Sequence, residues 1–142
     1  MKTITGGCLC GAVRYEARGK PLFAVYCHCR DCQRASGSGH VPVMGMPKEL
    51  FTASGATTSY TAAAMNGRRS VRHFCPTCGS LLFGTSDAAP DAVSLYVGTL
   101  DDSSVFEPEA VMFTRDRARW DATAGNLPEF HTMPQPPATD GG

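Results

Sequence analysis

No stretch of this chain approaches the roughly 20 consecutive apolar residues that a bilayer-spanning helix needs. Excess charge is missing as well. Thirteen Lys and Arg stand against thirteen Asp and Glu in 142 residues, and the formal net charge is zero. That balance removes the electrostatic case for nucleic acid or an anionic membrane surface as a partner. The opening residues, MKTITGGCLCG, lack the apolar segment of a secretory leader, so a cytoplasmic location is expected. No internal repeat and no internal linker interrupts the chain, and its length suits one domain. We expect that domain over 1–130 and a disordered tail over 131–142, where proline and glycine dominate and little can be buried.

Also absent is the alternation of strands with long helices that marks a parallel α/β sheet. What is present instead is short apolar runs punctuated by 15 Gly and 10 Pro. In residues 11–18, apolar Val13, Tyr15 and Ala17 alternate with charged Arg14, Glu16 and Arg18. A period of two is what a half-buried strand requires. Further strands are expected over 22–26, 41–46, 49–53, 57–61, 70–75, 80–83, 93–97 and 110–114. One short helix is expected over 30–36, stopped by Gly37. The fold class that follows is a small, mainly β domain.

Seven cysteines are the conspicuous feature. A chain this long can bury a core without disulfides, and an odd count argues for metal or thiol chemistry. They form three clusters: Cys8 and Cys10; Cys27, Cys29 and Cys32; and Cys75 and Cys78. Structural zinc takes four ligands, and catalytic zinc takes three with one position open. Seven divides into four and three. In Cys75-Pro76-Thr77-Cys78-Gly79 the proline fixes a turn and the glycine permits the left-handed backbone that closes a metal knuckle. Cys8, Cys10, Cys75 and Cys78 are therefore read as a structural zinc site tying an N-terminal strand to a later hairpin.

Cys27, Cys29 and Cys32 are left as a second, catalytic zinc site, so two zinc ions are expected per chain. His28 lies between two ligands that share a face and should point away from them. The fourth position could be filled by water, a substrate atom, His40 or His73; an iron–sulfur cluster would ordinarily want a fourth cysteine. Zinc with three thiolates is a poor water activator but can hold an external thiol as thiolate, and a thiolate can add to an aldehyde. Arg30, Arg34 and Arg72, with Arg68 and Arg69, are candidates to offset the site's charge and to fork onto substrate carboxylates. Trp120 is expected to anchor the core, Asp101 and Asp102 to build a turn, and Phe74 and Phe83 to pack over the structural metal.

Three segments together resemble the glutathione-dependent formaldehyde-activating enzyme family, which is grouped with centromere protein V. They are residues 7–15, 27–38 and 72–80, and the likeness continues through 97–102 and 119–121. The resemblance implies a mostly antiparallel, β-tent-like fold shared with methionine sulfoxide reductase type B, two zinc sites, and carbon–sulfur lyase activity. The reaction it implies condenses glutathione with formaldehyde, a small-molecule thiol with a small aldehyde. The alternatives are a non-catalytic zinc module that carries glutathione or binds a protein, and a thiol redox enzyme. The latter needs a nucleophilic cysteine outside the metal clusters. Oligomeric state is not legible.

Overall fold

The computed structural model describes residues 2–63, 67–122 and 125–134. Among these lie ten strands and one α-helix. The strands are β1 (Thr3–Gly7), β2 (Arg14–Arg18), β3 (Phe23–Cys27), β4 (Val41–Pro47) and β5 (Phe51–Ser54), then β6 (Thr58–Ala63), β7 (Arg69–Phe74), β8 (Leu81–Ser86), β9 (Ala92–Tyr96) and β10 (Ala110–Met112). The helix, α1, spans Arg30–Ser36 and ends at Gly37, whose amide bonds to the Gln33 carbonyl.

The strands form two sheets. A three-stranded sheet runs β1-β2-β5, and a seven-stranded sheet runs β10-β3-β4-β9-β8-β7-β6. The expected mainly β architecture is therefore present. The pairings are mostly antiparallel, as expected; among the described strands β10 pairs with β3 in parallel, Ala110 to Val25 through Met112 to Cys27. The long return from β9 brings β10 to the outer edge of β3, and this reversal of sense was not visible in local patterning.

Alternation explains how one sheet serves two cores. Along β4, Met44 and Met46 face the cluster shared with the smaller sheet, which includes Ile4, Val13, Tyr15, Ala17, Leu82, Val93 and Leu95. Val41 and Val43 face the opposite cluster with Val25, Cys27, Cys32, Tyr96 and Ala110. Side chains two apart share a face, so a strand buried on both sides reads as an uninterrupted apolar run. Met44 and Met46 are fully buried; truncating such a side chain to alanine costs about 2–5 kcal/mol.

Some expectations shift in detail. Strand β1 was not among the expected runs, because only Ile4 is a large apolar residue in TITGG, yet it pairs along its length with β2. Cys8 and Cys10 lie past its end in a turn rather than within a strand. Trp120 is not a core anchor: it is 76% exposed. Asp102 does build a turn, capping the Ser104 amide, whereas Asp101 instead bonds Thr5 and Arg14 far along the chain. His131 and Thr132 are tied by their carbonyls to the amides of Arg115 and Phe113. The expected tail beyond residue 134 lies outside the described residues.

Candidate metal centres

Two turns from distant parts of the chain bring four thiols together. The first follows β1: the Cys8 amide bonds to the Val13 carbonyl, and the Gly11 amide bonds to the Cys8 carbonyl. The second links β7 to β8: the Cys75 amide bonds to the Ser80 carbonyl, and the Gly79 amide bonds to the Cys75 carbonyl. Gly11 and Gly79 have φ of 82° and 77°. A side chain is strained in that region, so glycine directly after the second cysteine lets each turn close.

The sulfurs of Cys8, Cys10, Cys75 and Cys78 all lie within 4.8 Å of one another. Cys8 to Cys10 is 3.6 Å and Cys10 to Cys75 is 3.7 Å. A tetrahedral site with metal–sulfur bonds of about 2.3 Å has edges of about 3.8 Å, which these two separations match, so the donor set suits zinc. Amides already aim at the sulfurs: Val13 donates to Cys8 Sγ at 3.2 Å, and Thr77 and Cys78 donate to Cys75 Sγ at 3.4 and 3.5 Å. The Ser80 hydroxyl and amide beside Cys78, with the Cys10 amide, pull that thiol down to about 5. Ser80 Oγ also accepts from the Leu9 amide at 3.0 Å, stitching the two turns together. Phe83 is buried in the same apolar cluster as Cys8 and Cys75, whereas Phe74 is only half-buried.

The second group is local. Cys27 ends β3, Cys29 precedes α1, and Cys32 lies in its first turn, with all three sulfurs within 4.8 Å. Cys29 Sγ accepts the Cys32 amide at 3.3 Å, so one thiol both starts the helix and faces the group. Hydrogen bonds from the Cys27 and Cys32 thiols hold Cys29 down at about 3, while hydrogen bonding to Cys29 and Cys32 pushes Cys27 up. One thiol is thus favoured as thiolate at the expense of its neighbours, and a divalent cation suits a set that would release the remaining protons to it.

Arg72 on β7 reaches this group, its Nη2 standing 3.8 Å from Cys32 Sγ. Burial works against its charge, but the Tyr96 hydroxyl and the sulfurs of Cys32 and Cys29 hold the guanidinium protonated beyond its ordinary value. Tyr96, whose phenol burial pushes up to about 12, was missed by sequence reasoning because nothing in its strand pattern distinguishes it from core. The other arginines are placed differently. Arg30 bonds to Gln33 Oε1 at 2.5 Å, Arg34 is exposed on α1, and Arg68 and Arg69 are exposed. Arg69 pairs with Asp87 at 3.8 Å.

Neither His40 nor His73 joins the three sulfurs. His73 stacks on Phe83 at 5.0 Å and lies 3.2 Å from Thr57 Oγ1. His28 does point away from Cys27 and Cys29, into a third group with His40 and Asp121. Asp121 Oδ2 lies 2.7 Å from His40 Nδ1 and 3.3 Å from His28 Nδ1. Sequence reasoning had not joined these three, since Asp121 is 81 residues from His40. Gln33 locks the neighbourhood, donating through Nε2 to the carbonyls of His28 at 2.7 Å and Asp116 at 2.9 Å.

Over 113 residues the chain is 29% identical to a Halomonas elongata protein named "Putative glutathione-dependent formaldehyde-activating enzyme", covering 76% of this chain and 72% of that one. A crystal structure of a Rhodobacter sphaeroides protein shares the fold with a TM-score of 0.57 at 23% identity, covering 73% of this chain and 96% of that one. The family model described as glutathione-dependent formaldehyde-activating enzyme matches residues 3–116, which span both cysteine groups. This chain belongs to that family.

Proposed function

We propose that this protein is a zinc-dependent carbon–sulfur lyase that joins a thiol, glutathione or a similar compound, to formaldehyde or another small aldehyde. The observation that carries the reading is the group of exactly three thiols at Cys27, Cys29 and Cys32 with the Arg72 guanidinium against it. On this reading each chain holds two zinc ions, a structural one at Cys8, Cys10, Cys75 and Cys78 and a catalytic one at the three-thiol group. The tent-like β architecture of the family is the framework we propose for both. Zinc at three thiolates supplies a fourth position at which an external thiol is held deprotonated.

The reaction balances without a redox partner. The thiol sulfur forms a bond to the aldehyde carbon, the carbonyl π-bond opens, and the proton lost by the thiol ends on the new hydroxyl. The chain's own task is to hold charge in place. Arg72 stands beside the sulfurs and offsets their negative charge, so that a second anion, the incoming thiolate, is not repelled. Backbone amides fix Cys29, and Gln33 fixes the end of β3, so the three sulfurs do not rearrange as the substrate arrives. On this reading Arg34, exposed on α1, meets substrate carboxylates, with Arg30 beside it released from Gln33.

Formation of the hydroxymethyl thioether from glutathione and formaldehyde, corrected for the spontaneous reaction, tests the proposal. Wild-type protein should exceed the background, and Cys32→Ala should return to it. Saturable glutathione binding without any rate enhancement, across several thiols and aldehydes, would establish a carrier and overturn the lyase reading.

A further inference from the structure

His28 presents an unusual burial problem. Its ring is fully buried, and neither Nδ1 nor Nε2 makes a hydrogen bond of acceptable geometry. An unpartnered buried polar group costs about 1–3 kcal/mol, so a native fold that tolerates one commonly has an unseen partner. The surroundings say what kind. His40 lies with its ring centre 5.0 Å from that of His28, and Asp121 Oδ2 approaches both imidazoles. One donor atom from each of the three falls within 4.8 Å of the others.

The backbone leaves room for Asp121 deliberately. A Cβ on Gly39 would stand 2.5 Å from Asp121 Oδ2 and 2.9 Å from Trp120 Cη2. Only glycine at 39 lets the carboxylate reach the two histidines. The edge of Tyr26 or His40 meets the other's face at 5.4 Å, which holds the His40 ring against β3. Arg117, the cation whose charge reaches His28, is paired with Glu129 at 2.8 Å and so is partly neutralised.

We propose that His28, His40 and Asp121 form a third metal site, distinct from both thiol groups, for a divalent transition ion. Two imidazoles and one carboxylate leave coordination positions open and suit zinc, iron(II), manganese or cobalt(II) better than a soft, thiolate-seeking ion. The ion takes the place of the hydrogen between His40 and Asp121 and gives His28 the partner it lacks. Entry is from the His40 side, since the His40 and Asp121 side chains are 22% and 13% exposed while that of His28 is sealed. Because His28 sits between Cys27 and Cys29, the two centres lie back to back across the end of β3, one with sulfur donors and one with nitrogen and oxygen.

Cobalt(II) is the probe, because thiolate-bound cobalt has a strong sulfur-to-metal charge-transfer absorption that imidazole–carboxylate cobalt lacks. The full chain, stripped and reloaded, should take three equivalents, the third without added charge transfer and with paramagnetically shifted imidazole N–H resonances. Asp121→Asn and His40→Gln should each lose that equivalent, or weaken it at least tenfold, while retaining the charge-transfer absorption that reports intact thiol sites. Saturation at two charge-transfer equivalents in the wild type would overturn the proposal. So would a third equivalent that survives both substitutions. Missing charge-transfer absorption, with the shifted imidazole resonances intact, would instead count against the thiol sites and leave the third site supported.

Discussion

Replacing Arg72 with glutamine removes the guanidinium that stands against the three-thiol group while keeping a neutral polar side chain. Two unit charges at the 3.8 Å separation of Arg72 Nη2 and Cys32 Sγ attract by about 4 kcal/mol at an effective dielectric of 20. Part of this is lost in the real site. The negative charge is spread over three sulfurs, and Arg72 is only half-buried, so about half should survive. About 2 kcal/mol corresponds to a fall of about 30-fold in kcat/KM for adduct formation. Arg72→Lys keeps the charge but not the planar fork, and should lie between the two.

The assay compares glutathione with a small uncharged thiol, at equal metal content for every variant. If Arg72 acts on charge at sulfur, both thiols lose rate together. If it instead held a glutathione carboxylate, only glutathione would suffer. A glutamine variant within twofold of wild type for both thiols, with its zinc retained, would refute the electrostatic argument.

Chelation should proceed in two phases: the three-thiol ion leaves first with the far-UV circular dichroism unchanged, and loss of the four-thiol ion follows together with the β signal. Simultaneous loss of both ions with the fold would contradict the separate roles. Gln33→Met should destabilise the protein by about 2–6 kcal/mol in urea unfolding, because it strands the buried carbonyl of His28 and that of Asp116 at about 1–3 kcal/mol each. A change below about 0.5 kcal/mol would mean that water reaches those carbonyls.

The legible parts of this molecule are those encoded by short-range spacing. Val13, Tyr15 and Ala17 announce β2 by alternation, the residues of α1 are bounded by Cys29 and Gly37, and the four-and-three division of cysteines follows from knuckle spacing. The parity of Cys27, His28 and Cys29 even gave the direction of the histidine. What stayed hidden depends on partners far along the chain. The parallel docking of β10 on β3 and the meeting of Asp121 with His40 are set by how a long return segment lies over the sheet. Trp120 misled for the same reason. A lone large aromatic reads as core, but here the ring lies over the backbone at Gly39 and stays 76% exposed.

The two thiol groups differ in what their closure does to the chain, and the difference bears on their roles. Cys10 and Cys75 meet across 65 residues, whereas Cys27 and Cys32 are five apart. The entropic cost of closing a loop grows by about 0.6 kcal/mol for each doubling of length, so the longer closure restrains the unfolded chain more by about 2 kcal/mol. A metal at the four-thiol group therefore ties the turn after β1 to the β7–β8 turn and contributes to folding in proportion. At the three-thiol group the same ion would tie a strand end to the helix that immediately follows it, a junction already fixed by the Cys32 amide on Cys29 and by Gln33 on His28. A site whose connectivity the backbone has already secured has little structural reason to hold metal, and its three donors leave room for one more. That asymmetry, rather than the count of cysteines, is the physical argument for looking for chemistry at Cys27, Cys29 and Cys32.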